Sequence, residues 1–184
     1  MQTSEDTYSR SYDNWYALFV FTGREEYVKK MLEKRLAWEN CENIRAVIPK
    51  RRLRERKEGI WRDVEKPLFP GYILLNGIIG TTEYKCIKDI WSFKRILSNN
   101  NEFSIITPDE MKILRKLTYN DDVIGFSKVL VEGAKVQVIE GPLLSLEGLI
   151  QSIDSRKGRA KVALSFLGEM RTVDLGVNIL KTLQ

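Results

Sequence analysis

The sequence predicts an α+β protein of two domains: an N-terminal antiparallel-sheet α/β sandwich, then a small C-terminal β-barrel. Strands and helices alternate irregularly over the first two thirds of the chain, which favours an antiparallel sheet with helices packed on it. After Thr118 the helical pattern stops, and short runs with period-two character follow, separated by glycine turns. Closely spaced strands without helices are the pattern of a small barrel.

Trp15–Phe21 reads as the first strand, rich in aromatic and β-branched residues and ended by Thr22-Gly23. Arg24–Trp38 reads as a helix with Val28, Met31, Leu32 and Leu36 facing inward and Lys29, Lys30, Glu33 and Lys34 outward. Arg45–Ile48 is a short strand halted by Pro49. Arg51–Arg56 and Trp61–Glu65 flank a hairpin turn near Gly59. Leu68–Leu75 is read as a strand entered through the Pro70-Gly71 corner, with Phe69 and Tyr72 aimed by that stiff backbone. Thr81–Lys88 is a short helix and Phe93–Leu97 a last strand. Thr107-Pro108-Asp109-Glu110 starts a helix: a capping threonine, proline in the first turn, and a glutamate able to close a capping box. Met111, Leu114 and Leu117 form its apolar stripe.

Residues 118–131, with Asn120-Asp121-Asp122, Gly125 and Ser127, are expected to link the two domains. The barrel strands are Lys135–Ile139, Gly148–Ile153, Arg159–Phe166 and Arg171–Asp174. The domains therefore span 14–117 and 132–184, after an extension over 1–13 that is polar and expected to be mobile.

Composition bounds the function. Of 184 residues, 43% are hydrophobic and 30% charged, as in a soluble globular protein. No apolar run approaches the ~20 residues of a membrane span, and residues 1–13 lack the apolar core of a secretory signal. The expected location is the cytoplasm, with no membrane partner and a monomeric chain. There is no histidine and there are two cysteines, Cys41 and Cys86. That excludes a four-ligand Cys/His zinc site and removes imidazole acid–base chemistry. No nucleophile elbow or phosphate-cradling loop is present. No enzyme activity, cofactor or metal is expected.

The net charge is +5, yet residues 121–184 hold eight Lys/Arg against eight Asp/Glu. The whole excess lies in residues 1–120, densest over Lys50–Lys57, which suggests a polyanionic partner. In the balanced C-terminal part, Arg156-Lys157-Gly158-Arg159-Ala160-Lys161 places four cations on one turn. Arginine bridges phosphates and stacks on unpaired bases, so RNA is the natural ligand. A solvated turn kept basic for solubility is the alternative. Lys128 and Lys135 are candidates to extend this patch. Lys30, Lys34, Arg51, Arg52, Arg54 and Arg56 are candidates for a second nucleic-acid contact.

Trp15-Tyr16, Gly23, Ile48-Pro49 and Leu68-Phe69-Pro70-Gly71-Tyr72-Ile73 resemble the N-terminal (NGN) domain of the NusG family of transcription elongation factors. Gly133, Val136, Val138, Ile139, Gly141-Pro142, Glu147-Gly148 and Ile153-Asp154 resemble its SH3-like KOW barrel. The resemblance covers nearly all of the chain after residue 13. It implies that the N-terminal domain docks an aromatic-lined pocket on the clamp helices of RNA polymerase. The candidates are Tyr16, Phe69 and Tyr72, with Met111 and Leu114 as one wall and Trp15 as core. Thr81, Thr82 and Glu83 fall where related factors touch the other side of the channel.

Where housekeeping members carry a Gly-Pro-Phe-Ala-Gly-Phe-like turn, this chain has Gly141-Pro142-Leu143-Leu144-Ser145-Leu146. Their Phe-Gly-Arg corner is here Leu167-Gly168-Glu169. These departures resemble the LoaP group of specialised antiterminators. They imply processive antitermination and recruitment through a leader RNA hairpin. At the second cationic site, over Lys30, Lys34 and Arg51–Arg56, the partner would be upstream or non-template DNA, or the same RNA. A housekeeping factor coupling polymerase to ribosome or termination factor is the first alternative. A structural KOW protein of the ribosome is the second, and the full N-terminal domain argues against it.

Overall fold

The computed structural model describes residues 14–41, 43–88, 90, 93–96, 98–99, 102–103, 105–118, 121–133 and 135–180. The extension over 1–13 lies outside these. The described residues fall into two compact units, one within Met1–Ile48 and Phe69–Thr107, the other within Pro49–Leu68 and Pro108–Gln184.

In the first unit, β1 (Trp15–Val20), β2 (Arg45–Val47), β5 (Tyr72–Asn76) and β6 (Phe93–Ile96) form an antiparallel sheet in the order β2-β5-β1-β6. Helices α1 (Glu25–Trp38) and α2 (Thr81–Lys88) accompany it. Successive strand residues face opposite sides. Tyr16, Leu18 and Val20 of β1 therefore join Ile73 and Leu75 of β5 in one core with Val28, Leu32 and Leu36 of α1. Each such burial contributes roughly 1.5–3 kcal/mol. Cys41 and Cys86 lie as free thiols in this core, and burial pushes the Cys41 thiol up.

Helix α1 departs from its sequence reading at one position. Met31 was expected inward but is exposed, together with Tyr27 and Trp38. The buried set is Val28, Leu32 and Leu36, a strict i, i+4 row, so a residue three positions after Val28 falls outside it.

The Pro70-Gly71 corner is a turn rather than a strand, and β5 begins at Tyr72. Gly71 has φ +84°, and a Cβ there would lie 3.2 Å from Phe19 Cε2 and from Thr22 Oγ1. Its amide donates to the Glu25 carboxylate at 2.6 Å, while its carbonyl accepts from the Val20 amide at 2.9 Å. Glu25 is itself buried. A carboxylate sealed at the start of α1 thus fixes the corner against β1.

In the second unit, β3 (Lys50–Lys57) and β4 (Ile60–Pro67) form the expected hairpin, longer by one or two residues at each end than the sequence reading. Glu58 and Gly59 both have positive φ, 54° and 83°, the type I′ turn suited to a two-residue loop. Helix α3 (Pro108–Thr118) begins at its proline, with Met111, Leu114 and Leu117 buried. Strand β9 (Val123–Ile124) pairs in parallel with Lys50 and Arg51 of β3. Strands β10 (Ser127–Glu132), β11 (Lys135–Glu140), β12 (Ile150–Asp154), β13 (Arg159–Phe166) and β14 (Glu169–Leu180) make a five-stranded sheet in the order β11-β10-β14-β13-β12. Strands β11 and β12 are the ends of this order, and among the described residues no further pairing joins them.

Two boundaries differ from the sequence reading. Residues 127–131, read as linker, belong to β10, whose Ser127 and Val129 are buried. Ser127 Oγ accepts from the Leu143 amide at 3.0 Å, so its polar side chain serves the sheet. The hairpin and α3, read with the first domain, group with the second unit.

Replacing Gly71 by alanine is expected to cost about 1–2 kcal/mol, from the left-handed backbone alone. Urea unfolding of wild type and Gly71→Ala measures it, and an unchanged midpoint would contradict the role assigned to this corner.

Candidate functional site

The aromatic cluster differs from its sequence reading in which rings can be reached. Tyr16 is 6% exposed and Phe69 3%, so both are core. Trp15, assigned to the core, is half-buried. Tyr72 is half-buried and stacks on Phe19 with ring centroids 5.1 Å apart. Phe21, the next residue in the outward period of β1, is 50% exposed. Around this corner the reachable rings among the described residues are Phe19, Phe21 and Tyr72, with Trp15 partly open as well. The strand alternation of residues 15–21 held this signal: once Tyr16, Leu18 and Val20 face the core, 19 and 21 face away. Thr81 and Thr82 are exposed on the first turn of α2, while Glu83 accepts from the Gly80 amide at 2.9 Å and so caps that helix.

Met111 and Leu114 belong to the second unit and are buried there. Helix α3 is held on the C-terminal sheet by Glu110, whose Oε1 accepts from Ser165 Oγ and from the Gly168 amide, each at 2.9 Å. Lys116 Nζ reaches the Ser145 carbonyl at 3.4 Å from the same helix.

The cations differ in how far they are already engaged within the protein. Arg159, a candidate RNA ligand, is instead an internal clamp. Its guanidinium lies 3.2 Å from Glu55 of β3 and 3.4 Å from Asp174 of β14, with the side chain 19% exposed. Arg51 is half-buried and donates to the Asp174 carbonyl at 2.9 Å, and burial lowers its pKa. Arg52 pairs with Glu65 at 3.0 Å and Arg54 with Asp63 at 3.2 Å; Arg54 also lies over the Phe126 ring. Lys128 pairs with Glu140 at 2.7 Å on the surface.

Arg156, Lys157 and Lys161 are exposed, with Lys157 Nζ 3.8 Å from Asp154 Oδ2. The turn that carries the first two is fixed by Asp154, whose Oδ1 accepts from the Arg156 and Lys157 amides at 3.1 and 3.0 Å. The amide of Lys157, before other influences, lowers the Asp154 pKa and keeps it an acceptor. The Val177 amide donates to Gly158 O at 2.9 Å, anchoring the turn to β14. Register relates the two outlying lysines to this turn. Lys128 pairs with Asn178, next to Val177, whereas Lys135 lies opposite Glu132, four residues farther along β10. Lys128 neighbours the turn and Lys135 does not. Lys30 and Lys34 are exposed on α1, which belongs to the first unit; the hairpin arginines belong to the second.

Among the described residues no cluster of three metal-ligating side chains forms, and no helix is long and apolar enough to cross a membrane.

Residues 13–115 match the family model described as transcription termination factor nusG. The chain belongs to the NusG family. The transcription termination/antitermination protein NusG of Bacillus subtilis is 27% identical over 168 residues, 88% of this chain and 94% of that protein. NusG of Haemophilus influenzae is 28% identical over 184 residues, 94% of this chain and 95% of that one. A solved structure of Thermotoga maritima NusG, described by its domain interaction, matches with a TM-score of 0.60 at 26% identity. The match covers 89% of this chain and 93% of that one. The NusG relatives carry the names of termination and antitermination factors over nearly their full lengths.

The clamp has a pH signature. The hydrogen bond from Lys66, then the nearby Arg159, holds the Glu55 carboxyl below its ordinary value of 4.5. A depressed carboxyl contributes stability that is complete above its unfolded value and is lost as pH falls through the lower folded value. NMR titration of the Glu55 side chain is expected to give a midpoint below 4.5, and Lys66→Met to raise it. A midpoint unmoved by that substitution would refute the assignment.

Proposed function

We propose that this chain is a specialised NusG-type elongation factor that suppresses termination processively. Its N-terminal unit would bind RNA polymerase, and basic residues of the C-terminal sheet would capture a hairpin in a leader transcript. The observation that carries the RNA reading is the turn Arg156-Lys157, exposed and pinned by Asp154 and Val177. A rigid cationic tip loses little conformational entropy on binding, and hairpin loops offer it phosphates and unstacked bases. Lys161 and the neighbouring Lys128 would add charge, the latter at the cost of its pair with Glu140. Arg159 would support the turn from inside.

The polymerase clamp helices would meet Tyr72, Phe19 and Phe21, with Tyr16 and Phe69 as the packed layer beneath. A few desolvated aromatics carry most of the affinity in such contacts. Met111 and Leu114 are buried in the second unit, where the bonds of Glu110 hold α3 to the sheet. No covalent step is involved. Stabilising the elongating state by about 1.4 kcal/mol shifts a pausing equilibrium tenfold.

The names of the relatives favour a second reading, a housekeeping factor. Against it stand Leu143 and Leu144 in the Gly141–Leu146 loop and Glu169 at the β13–β14 corner, where charge is reversed relative to the housekeeping pattern.

The two surfaces are separable by experiment. Phe19→Ala with Tyr72→Ala is expected to weaken binding to core polymerase at least tenfold and to leave RNA affinity unchanged. Arg156→Ala with Lys157→Ala should do the reverse, lowering leader-hairpin affinity and flattening its dependence on salt. Equal loss of both activities in either variant, or unaltered readthrough of intrinsic terminators by the wild type, would overturn the proposal.

A further inference from the structure

The β3–β4 hairpin carries a charge pattern that changes at its tip. On one face the cross-strand rungs are Arg52 with Glu65, Arg54 with Asp63, and Arg56 with Trp61. The first two rungs are ion pairs at 3.0 and 3.2 Å. At the third rung the acid is replaced by an indole. Arg56 donates through Nε to the Gly59 carbonyl at 3.0 Å, which holds the side chain over the turn without neutralising it. On the other face Arg62 lies opposite Glu55, but that carboxylate is engaged by Lys66 at 2.7 Å and Arg159 at 3.2 Å. Arg62 and Lys57 are exposed. The shaft of the hairpin is thus self-neutralised while its end keeps three cations. Amid them Trp61 is 47% exposed and Ile60 57%.

The turn itself is stiff. A two-residue I′ loop fixes the rung that precedes it, and a glutamate at φ 54° is not a residue such a loop selects for its backbone preference. The side chain of Glu58 projects from the apex, exposed, beside the basic residues.

We propose that the hairpin tip is a binding site for unpaired RNA, with one base stacked on the Trp61 indole and its flanking phosphates held by Arg56, Lys57 and Arg62. This deepens the RNA reading above by adding a contact remote in sequence from the Arg156-Lys157 turn. An indole presents a flat face that any base can cover, whereas a duplex keeps its base faces stacked inside, so the ligand is single-stranded. Arg56 shares the face of Trp61, while Lys57 and Arg62 lie on the opposite face of the hairpin end. A strand passing over the tip meets charge for only a few phosphates, so the site takes a short unpaired segment, not an extended track. Glu58 supplies the choice of sugar. Its carboxylate repels phosphate but accepts a hydrogen bond from a ribose 2′-hydroxyl, a donor that DNA lacks.

Fluorescence anisotropy with the full chain tests this, using labelled 12-nucleotide oligouridylate, oligothymidylate of the same length, and a 12-base-pair RNA duplex. Oligouridylate is expected to bind best. Trp61→Ala should weaken it about 5- to 150-fold, the range of one lost base–aromatic stack, and Trp61→Phe should retain most of the affinity. Arg56→Ala with Arg62→Ala should lower the slope of log affinity against log salt by about 1.4, two phosphate contacts on a single strand. Glu58→Gln should narrow the preference for RNA over DNA.

Unchanged oligouridylate binding by Trp61→Ala, or equal binding of the duplex, would overturn the site. Equal binding of oligothymidylate would overturn its assignment to RNA. Trp61-dependent binding in a chain that shows no preference for a leader hairpin would retain this site and refute the antitermination reading. Loss of the leader-hairpin preference in Arg156→Ala/Lys157→Ala with oligouridylate binding intact would separate the two contacts.

Discussion

One guanidinium, that of Arg159, organises the second unit. It lies between Glu55 of the hairpin and Asp174 of the C-terminal sheet, and Arg51 returns from the hairpin to the Asp174 carbonyl. Exposed ion pairs contribute little, commonly less than about 1 kcal/mol. These differ because arginine donors in a fixed fork are shared among acceptors from separate strands, which gives direction as well as attraction. The apolar counterpart is Leu53, buried on the same face of β3 as Arg51 and Glu55. The basic hairpin meets the sheet of this unit through Arg51 on the Asp174 carbonyl and through its own acid, Glu55, on Arg159.

That arrangement decides which charges remain for a ligand. The sequence segment Lys50–Lys57 looks like a single basic block, but the antiparallel register divides it. Alternate residues face the sheet, and the outward arginines meet acids from β4 until the last rung. The free charge is concentrated at the end farthest from the strand pairing with β9. The same division occurs at the other basic motif. Arg159 turns inward, whereas Arg156 and Lys157 are held outward by the Asp154 carboxylate. Sequence counts alone cannot make this distinction, because a cation's availability depends on the partner opposite it.

The elements legible in the sequence were those with local causes. Thr81–Lys88 forms the helix read there, Pro108 opens α3, and the hairpin turns at Glu58-Gly59. Each is set by residues within a few positions of one another. What escaped had distant causes. Ser127 and Val129 looked like linker because their burial comes from neighbours on β11 and β14, far along the chain. Tyr16 and Phe69 looked like docking rings, yet both fill core. Arg159 was read as one of four equivalent cations, and only the approach of Glu55, 104 positions away, sets it apart.

The buried rings and the exposed ones nevertheless form one mechanical system. Glu25 is sealed beneath the corner and accepts the Gly71 amide at 2.6 Å, a charge-assisted bond of the stronger kind. Without that acceptor the corner's amide would be buried and unpaired, at a cost of about 1–3 kcal/mol. With it, Phe69 is drawn into the core on one side of the corner and Tyr72 emerges on the other, against Phe19. A surface ring placed this way is positioned by the backbone rather than by its own rotamer freedom. The proposed docking on it would order little that is not already ordered. The Phe-Pro-Gly-Tyr segment matters through the tyrosine it presents, and the phenylalanine is the anchor that presents it.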